Sequence, residues 1–295
     1  MNNSILGISI ALVSTLSWAL CTTLLKKLGE RLDAFGMTMV KTVLASVLLF
    51  IIINITGVTL NIGFDNIIPV ALSGILGIAI GDSLFFASLN RLSPLVLSLI
   101  LFVGPDLFSG IFGLIFLKEM PSLLSWIGIF AILTGLSFLI FPIKKEDTES
   151  KTKITGIIFA LLSLICTAYS MVIIKPVLVN IPVITATMYR MVFSAVVLVL
   201  FGIFSKKIFL WKNVLSDKKY NLQLTGTFSL ATIGGFWLSL VAIKYCKLII
   251  ASSLMSLEPL FILLFMILFN GYIPKIKEIR GIIIIVLGIL LICLG

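Results

Sequence analysis

The sequence predicts an all-α integral membrane protein whose ten transmembrane helices form two inverted five-helix repeats. Three observations support this fold class: the composition, the length of the apolar runs, and a match between the two halves of the chain. Of the 295 residues, 60% are hydrophobic and 12% are charged, whereas an ordinary soluble domain has about 25% charged residues. A soluble core of this size cannot bury so much apolar surface, but a bilayer can surround it.

Ten apolar segments are long enough to cross a membrane, because a helix needs about 20 apolar residues to span the hydrocarbon core. Charged residues are rare within these segments and concentrate between them. The predicted spans are 4–25, 34–56, 66–88, 93–117, 123–142, 154–174, 183–204, 223–244, 248–270 and 279–295.

The two halves of the chain repeat each other, at an offset of 149 residues in the early helices and about 154 later. The matched pairs include Gly7/Gly156, Ser14/Ser163, Lys41/Arg190, Gly81/Gly235 and Pro105/Pro259. We therefore predict a first repeat at 1–143, a charged linker at 144–153 and a second repeat at 154–295. Because five is an odd number, the second repeat starts on the opposite side of the membrane and is inverted.

Short motifs recur at equivalent places in both halves. The first half contains Gly104-Pro105, Lys118-Glu119, Trp126-Ile127-Gly128 and Gly135, and the second contains Glu258-Pro259, Arg280-Gly281 and Gly288. With this pattern the sequence resembles the EamA-type family of the drug/metabolite transporter superfamily over nearly the whole chain. The resemblance implies a transporter, with export of amino acids or related metabolites. The second half departs from the pattern at Asn270-Gly271-Tyr272, which replaces the acidic turn.

Five ionisable residues lie well inside predicted spans, where an unpaired charge costs several kcal/mol. They are Lys41, Asp82, Asp106, Arg190 and Glu258. Lys41 and Asp82 lie about 10 Å and 9 Å from the same membrane surface at 1.5 Å per residue. We therefore predict a Lys41–Asp82 ion pair, which either binds and couples substrate or only fixes two helices together.

Arg190 is the repeat mate of Lys41, but Phe236 stands at the position equivalent to Asp82. Arg190 is thus expected to pair with Asp106 or Glu258, to hold an anionic substrate group, or to extend to the membrane surface. Asp106 and Glu258 are candidates for proton coupling, because desolvation favours the protonated carboxyl. Simple charge balance is the alternative role.

Two prolines and three aromatic residues complete the predicted site. Pro105 and Pro259 are predicted to kink their helices, either as hinges for alternating access or as static bends. Trp18, Tyr169 and Trp237 are candidates for the walls of a substrate pocket, with ordinary packing as the alternative.

The basic residues predict an orientation. Loops that follow odd-numbered spans contain sixteen Lys and Arg residues, against four in the other loops. The positive-inside rule therefore predicts a plasma-membrane protein with both termini outside. The family resemblance implies the reverse, with both termini inside.

Together these features predict a secondary transporter of a small metabolite that works by alternating access, with proton coupling and uncoupled exchange as the alternatives. The chain lacks the Gly-x4-Gly-Lys-Ser/Thr motif of ATP-driven proteins. It contains no histidine and no metal-ligand spacing, so neither an enzyme, a metal site, a cofactor nor a nucleic-acid partner is expected. The alternatives are a lipid-handling or scaffold protein and, less favoured, an intramembrane enzyme.

Overall fold

The computed structural model describes residues 2–94, 96–97, 100–101, 122–140, 149–246, 248–255, 257–271, 273 and 276–294. These residues form α-helices and two short π-helices, and no β-strand occurs among them. In the first repeat the helices are α1 (Asn2–Leu28), α2 (Ala34–Thr56), α3 (Phe64–Gly74), π1 (Ile75–Ile80), α4 (Gly81–Leu89) and α5 (Leu123–Ile140). Pro105, Asp106 and the first half of the linker, 144–148, lie outside the described residues.

The second repeat follows a similar order. Its helices are α6 (Glu149–Val177), α7 (Val183–Phe204), α8 (Ile208–Leu215), α9 (Lys218–Leu230), π2 (Ala231–Trp237), α10 (Leu238–Tyr245), α11 (Leu248–Met255), α12 (Glu258–Asn270) and α13 (Ile276–Leu294). The short helix α8 has no counterpart among the predicted spans.

Six helical stretches in the described part of the chain are long and apolar enough to cross a membrane. They are Ile5–Leu28, Ala34–Thr56, Phe64–Leu89, Thr152–Val177, Val183–Phe204 and Lys218–Tyr245. Two shorter apolar helices cover Glu258–Phe269 and Ile279–Gly288. The helical class is as predicted, and the total of ten spans stays a prediction because most of 93–117 is not described.

The third span of each repeat is interrupted by a π-helical segment, where the sequence predicts continuous α-helix. A π-helix widens the turn locally and is often found at functional sites. A glycine at each segment allows a close helix contact: Gly81 directly follows π1, and Gly235 lies within π2. A Cβ atom at Gly81 would lie 3.2 Å from Thr167 Oγ1, and one at Gly235 would lie 2.9 Å from the Trp18 ring.

Repeat-related residues make equivalent contacts between the two halves. Ser14 Oγ donates to the Gly235 carbonyl at 3.0 Å, and its repeat mate Ser163 donates to the Gly81 carbonyl at 2.7 Å. Nearer the helix ends, Cys21 Sγ contacts the Thr227 carbonyl and Ser170 Oγ donates to the Ser73 carbonyl. The first helix of each repeat therefore packs on the third helix of the other, which places their shared face at the centre of the molecule.

Within the predicted span 248–270 the helix is interrupted, because α11 ends at Met255 and α12 begins at Glu258. Pro259 lies in the first turn of α12. A proline there interrupts no helical hydrogen bond, because the first amide groups of a helix have no partner inside it. The predicted kink within one helix is thus a break between two helices, and it places Glu258 at a helix start.

Candidate functional site

A cavity of about 170 Å³ lies between the two repeats. Its charged lining residues are Lys41 from α2, Asp82 from α4 and Glu258 from α12. Hydroxyl groups of Thr15, Thr22, Ser163, Thr167 and Ser239 also line it, as do the rings of Trp18, Phe85, Phe86 and Phe236. An apolar cavity of roughly 150 Å³ can bind a molecule of benzene size, so this one has room for a small substrate.

The predicted ion pair between Lys41 and Asp82 is present. Lys41 is only 1% exposed, and its Nζ also lies 4.3 Å from the centroid of the Phe236 ring. Phe236 occupies the position in the second repeat that corresponds to Asp82. At this position the second repeat therefore has an aromatic ring and not a second carboxylate. The ring makes a cation–π contact with Lys41.

Arg190 is also buried, at 1% exposure, so its predicted extension to the membrane surface is wrong. Its Nη2 donates to Ser170 Oγ at 2.9 Å, whereas Nε and Nη1 have no hydrogen-bond partner among the described residues. The guanidinium interacts electrostatically with the Asp82 carboxylate. The described residues contain no Arg190–Glu258 ion pair, and the alternative partner, Asp106, is not described.

Glu258 is buried and faces the cavity. Its Oε1 accepts a hydrogen bond from Thr22 Oγ1 at 3.0 Å. No Lys or Arg of the described residues lies within ion-pair distance of this carboxyl group. A buried carboxyl with a hydroxyl donor and no fixed cation is free to bind a proton or a cationic group of a ligand.

Three of the five predicted charged residues therefore form one cluster. Lys41 and Arg190 both interact electrostatically with Asp82 and repel each other. One carboxylate is thus shared by two repeat-related cations. Within the described chain, the ion-pair contact of this carboxylate is with Lys41.

Of the three predicted aromatic residues, one lines the cavity and two do not. Trp18 lines the cavity and contacts Phe236 edge to face, with ring centroids 4.8 Å apart. Tyr169 is 41% exposed and Trp237 packs among apolar residues beside the cavity, so neither contributes to the lining. Among the described residues, no group of three His, Cys, Asp or Glu side chains is arranged to hold a metal ion.

Comparison with known proteins identifies the family. The model of the EamA-like transporter family matches residues 5–141 and 154–294, which is nearly the whole chain in two copies. The chain belongs to the EamA-like transporter family. This membership agrees with the apolar helices and shows a multi-pass membrane protein built from two repeats.

Other comparisons give the fold alone. A solved structure, described only as a crystal structure of a protein, has a TM-score of 0.71 to this EamA-like chain at 16% identity. The match covers 100% of this chain and 98% of the other. No curated protein matches the sequence significantly.

Apart from Trp18, sequence analysis missed the cavity residues that carry no charge. In α1 these are Thr15 and Thr22, which share one helix face with Trp18, and their repeat mates in α6 are Leu164 and Met171. The spacing of three and four residues, present in both copies of this EamA-like protein, is the signal that would have found them. It also explains why Tyr169, two positions beyond Thr167, lies off the cavity face.

Proposed function

We propose that this EamA-like protein is a secondary transporter that moves a small metabolite through the cavity between its repeats. The observation that supports this most directly is the position of Lys41, Asp82 and Glu258, which line one cavity from three different helices of both repeats. Buried charges around a cavity at a repeat interface are typical of transporter substrate sites. They have no evident use in a scaffold.

The chemistry of the cavity favours an amphipathic substrate that carries both charges, such as an amino acid or a related compound. Glu258 offers a carboxylate to a cationic group, Lys41 offers an ammonium to an anionic group, and Trp18 and Phe86 offer apolar surface. Arg190 lies behind this lining and acts on the substrate through Asp82.

Alternating access follows in this proposal from an exchange of partners. In the present state Asp82 pairs with Lys41, and two Arg190 nitrogens have no partner among the described residues. An anionic substrate group that binds Lys41 releases Asp82 to Arg190. Because the two cations belong to different repeats, the exchange couples substrate binding to a relative movement of the repeats.

Proton coupling is assigned to Glu258, whose carboxyl group has no fixed cationic partner in the described chain. We further propose export across the plasma membrane, with odd-numbered loops in the cytoplasm as the distribution of Lys and Arg indicates. A reporter that is active only in the cytoplasm is expected to be inactive when it is fused to either terminus. An active fusion would show the opposite orientation.

Two experiments test the proposal. Untargeted metabolite profiling of medium and cells, in deletion and overexpression strains, identifies the substrate as a compound that changes in opposite directions in the two strains. The purified protein is then assayed in proteoliposomes with that compound. Recovery of the compound with unchanged mass supports transport, whereas a chemically altered product would indicate an intramembrane enzyme, and scrambling of labelled lipid would indicate a lipid-handling protein.

The same assay separates coupling from binding. Glu258→Gln is expected to abolish accumulation driven by a proton gradient while exchange of labelled for unlabelled substrate continues. The matched control is Glu30→Gln, since Glu30 is exposed, follows the end of α1 and does not line the cavity. Gradient-driven accumulation that survives in Glu258→Gln would remove Glu258 from the coupling role.

A further inference from the structure

The short helix α8 lies where α7 ends and α9 begins, so it stands at a membrane boundary between two predicted spans. Trp211 fixes it to the protein: its ring packs against Gly202, and its Nε1 donates to Asp33 Oδ1 at 2.7 Å. Asp33 also caps the start of α2 through the Gly36 amide at 2.9 Å. The position of α8 is therefore set by the same carboxylate that begins α2.

The outer side of α8 is strongly apolar. Phe209 is 70% exposed and Leu210 is 66% exposed, although both lie within a helix of eight residues. Phe204, at the end of α7, is exposed beside them. Large apolar side chains at the boundary of a membrane protein are typical of a helix that lies in the interface plane and inserts into the acyl region.

A surface groove of about 520 Å³ runs between α8 and α2. Its apolar wall comes from Met39, Ile208, Phe209 and Leu215, and Lys212 and Ser216 line the same groove. The groove thus combines an apolar surface with an ammonium and a hydroxyl. This is the arrangement that an acyl chain joined to a phosphate headgroup requires.

The charges around α8 are unbalanced. Lys207 is paired with Asp33 at 2.9 Å and Arg31 with Asp217 at 2.7 Å, so these two carboxylates are already occupied. Four further lysines in this stretch are exposed and form no ion pair within the described chain: Lys206, Lys212, Lys218 and Lys219. Unpaired lysines beside an apolar interfacial helix attract anionic lipid.

We propose that the α8 surface, comprising the groove and Lys206, Lys212, Lys218 and Lys219, is a binding site for an anionic phospholipid. The acyl chain lies along Met39, Ile208 and Leu215, and the headgroup phosphate contacts Lys212 and Lys206. The site is separate from the central cavity and its occupation does not depend on the transport cycle. The site lies between α2, which carries Lys41, and α8, which precedes the third span of the second repeat.

Native mass spectrometry of the full-length protein in detergent, titrated with phosphatidylglycerol or phosphatidylcholine of the same acyl chains, tests the site. The unmodified protein is expected to bind phosphatidylglycerol more tightly. The double variant Lys206→Gln/Lys212→Gln is expected to lose roughly 30-fold in that affinity, because each surface lysine contributes about fivefold. All these side chains are exposed, and an unchanged melting temperature checks that the fold is intact.

The matched control is Lys27→Gln/Lys244→Gln, which removes the same charge from two exposed lysines that do not line the groove. It is expected to keep the affinity of the unmodified protein, and an equal loss in the control would show general surface charge instead of a site. Equal affinity for both lipids would also overturn the proposal.

Two further arms test the apolar half of the site. Phe209→Ala is expected to weaken binding of phosphatidylglycerol severalfold with all four lysines present, and unchanged affinity would remove the groove from the site. Inorganic phosphate at millimolar concentration is expected to leave the lipid bound. Complete displacement by phosphate would show a free-anion site in place of a lipid site.

Discussion

The two repeats share a polar framework but differ in charge. Ser14 and Ser163 make equivalent hydrogen bonds to Gly235 and Gly81, so the first helix of each repeat contacts the third helix of the other in the same way. The cations are also equivalent, because Lys41 and Arg190 are repeat mates. Only the first repeat has the acid, Asp82, and the second has Phe236 in its place.

This difference shows which part of the symmetry is structural and which part is available for function. Hydrogen bonds from small residues to helix carbonyls are kept in both copies, because they allow close packing of helices in lipid. The acidic position is not kept, and one carboxylate, Asp82, therefore interacts with both cations. A perfectly symmetric cluster would satisfy each cation in every state and would offer no alternative pairing.

The largest effect is expected from removing the shared acid. Asp82→Asn leaves Lys41 and Arg190 buried together and removes the carboxylate that interacts with both of them. Loss of one partner from a buried ion pair typically costs about 3–5 kcal/mol, so we expect a marked fall in melting temperature and no transport in proteoliposomes. Asp65→Asn, at an exposed position in the first turn of α3, is the control. A stable and active Asp82→Asn protein would contradict the shared-acid interpretation.

A second asymmetry concerns Gly77, whose repeat mate is Ala231. A Cβ atom at Gly77 would lie 2.3 Å from Ser170 Oγ and 3.4 Å from Arg190 Nη2, so the first repeat has room only for glycine. Gly77→Ala is expected to lower stability by about 1–3 kcal/mol through overpacking. It is also expected to displace Ser170 from Arg190 and to slow transport.

The control for this change is Gly226→Ala in α9, where a Cβ atom would meet nothing within 4 Å. This variant is expected to be neutral or to gain up to about 1 kcal/mol, because alanine favours a helix over glycine. Thermal unfolding in detergent measures both variants. Equal melting temperatures for Gly77→Ala and Gly226→Ala would show that the Ser170 contact is loose.

Much of this architecture follows from the sequence because bilayer thickness and helical rise fix the length of a span. The Lys41–Asp82 pair could be predicted for the same reason, since depth along two helices is simple arithmetic. The direction in which a side chain points is not fixed by depth. One of the alternatives predicted for Arg190, an ion pair with Glu258, is therefore absent among the described residues. The π-helical segments and the break before Glu258 depend on packing between repeats, which a local pattern does not contain.

Thr22 is polar and its repeat mate Met171 is apolar, just as Asp82 is polar and Phe236 is apolar. The Thr22 hydroxyl is the one described donor to Glu258, at 3.0 Å. Thr22→Val keeps the shape but leaves the buried carboxyl unsatisfied, which costs about 1–3 kcal/mol. We expect a moderate loss of stability and a change in the pH dependence of transport.

Thr23→Val is the matched control for Thr22→Val. Thr23 is the neighbouring residue, it is half-buried, and its hydroxyl bonds only to the Ala19 carbonyl of its own helix at 2.8 Å. Its variant is expected to keep the normal pH profile. If both variants gave the same profile in proteoliposomes, the hydrogen bond to Glu258 would have no part in coupling.

The smallest effect on stability is expected at Arg190, although its effect on transport is expected to be large. Two of its nitrogens have no partner in the described chain, and a buried charge without full pairing is often replaced by an apolar residue at no cost. Arg190→Leu is therefore expected to change the free energy of unfolding by less than about 1 kcal/mol, while transport falls at least tenfold. Arg190→Lys, which keeps the charge, is expected to retain part of the activity. If Arg190→Leu lowers stability as far as Asp82→Asn does, the two residues form a structural pair, and the second cation has no separate role in the transport cycle.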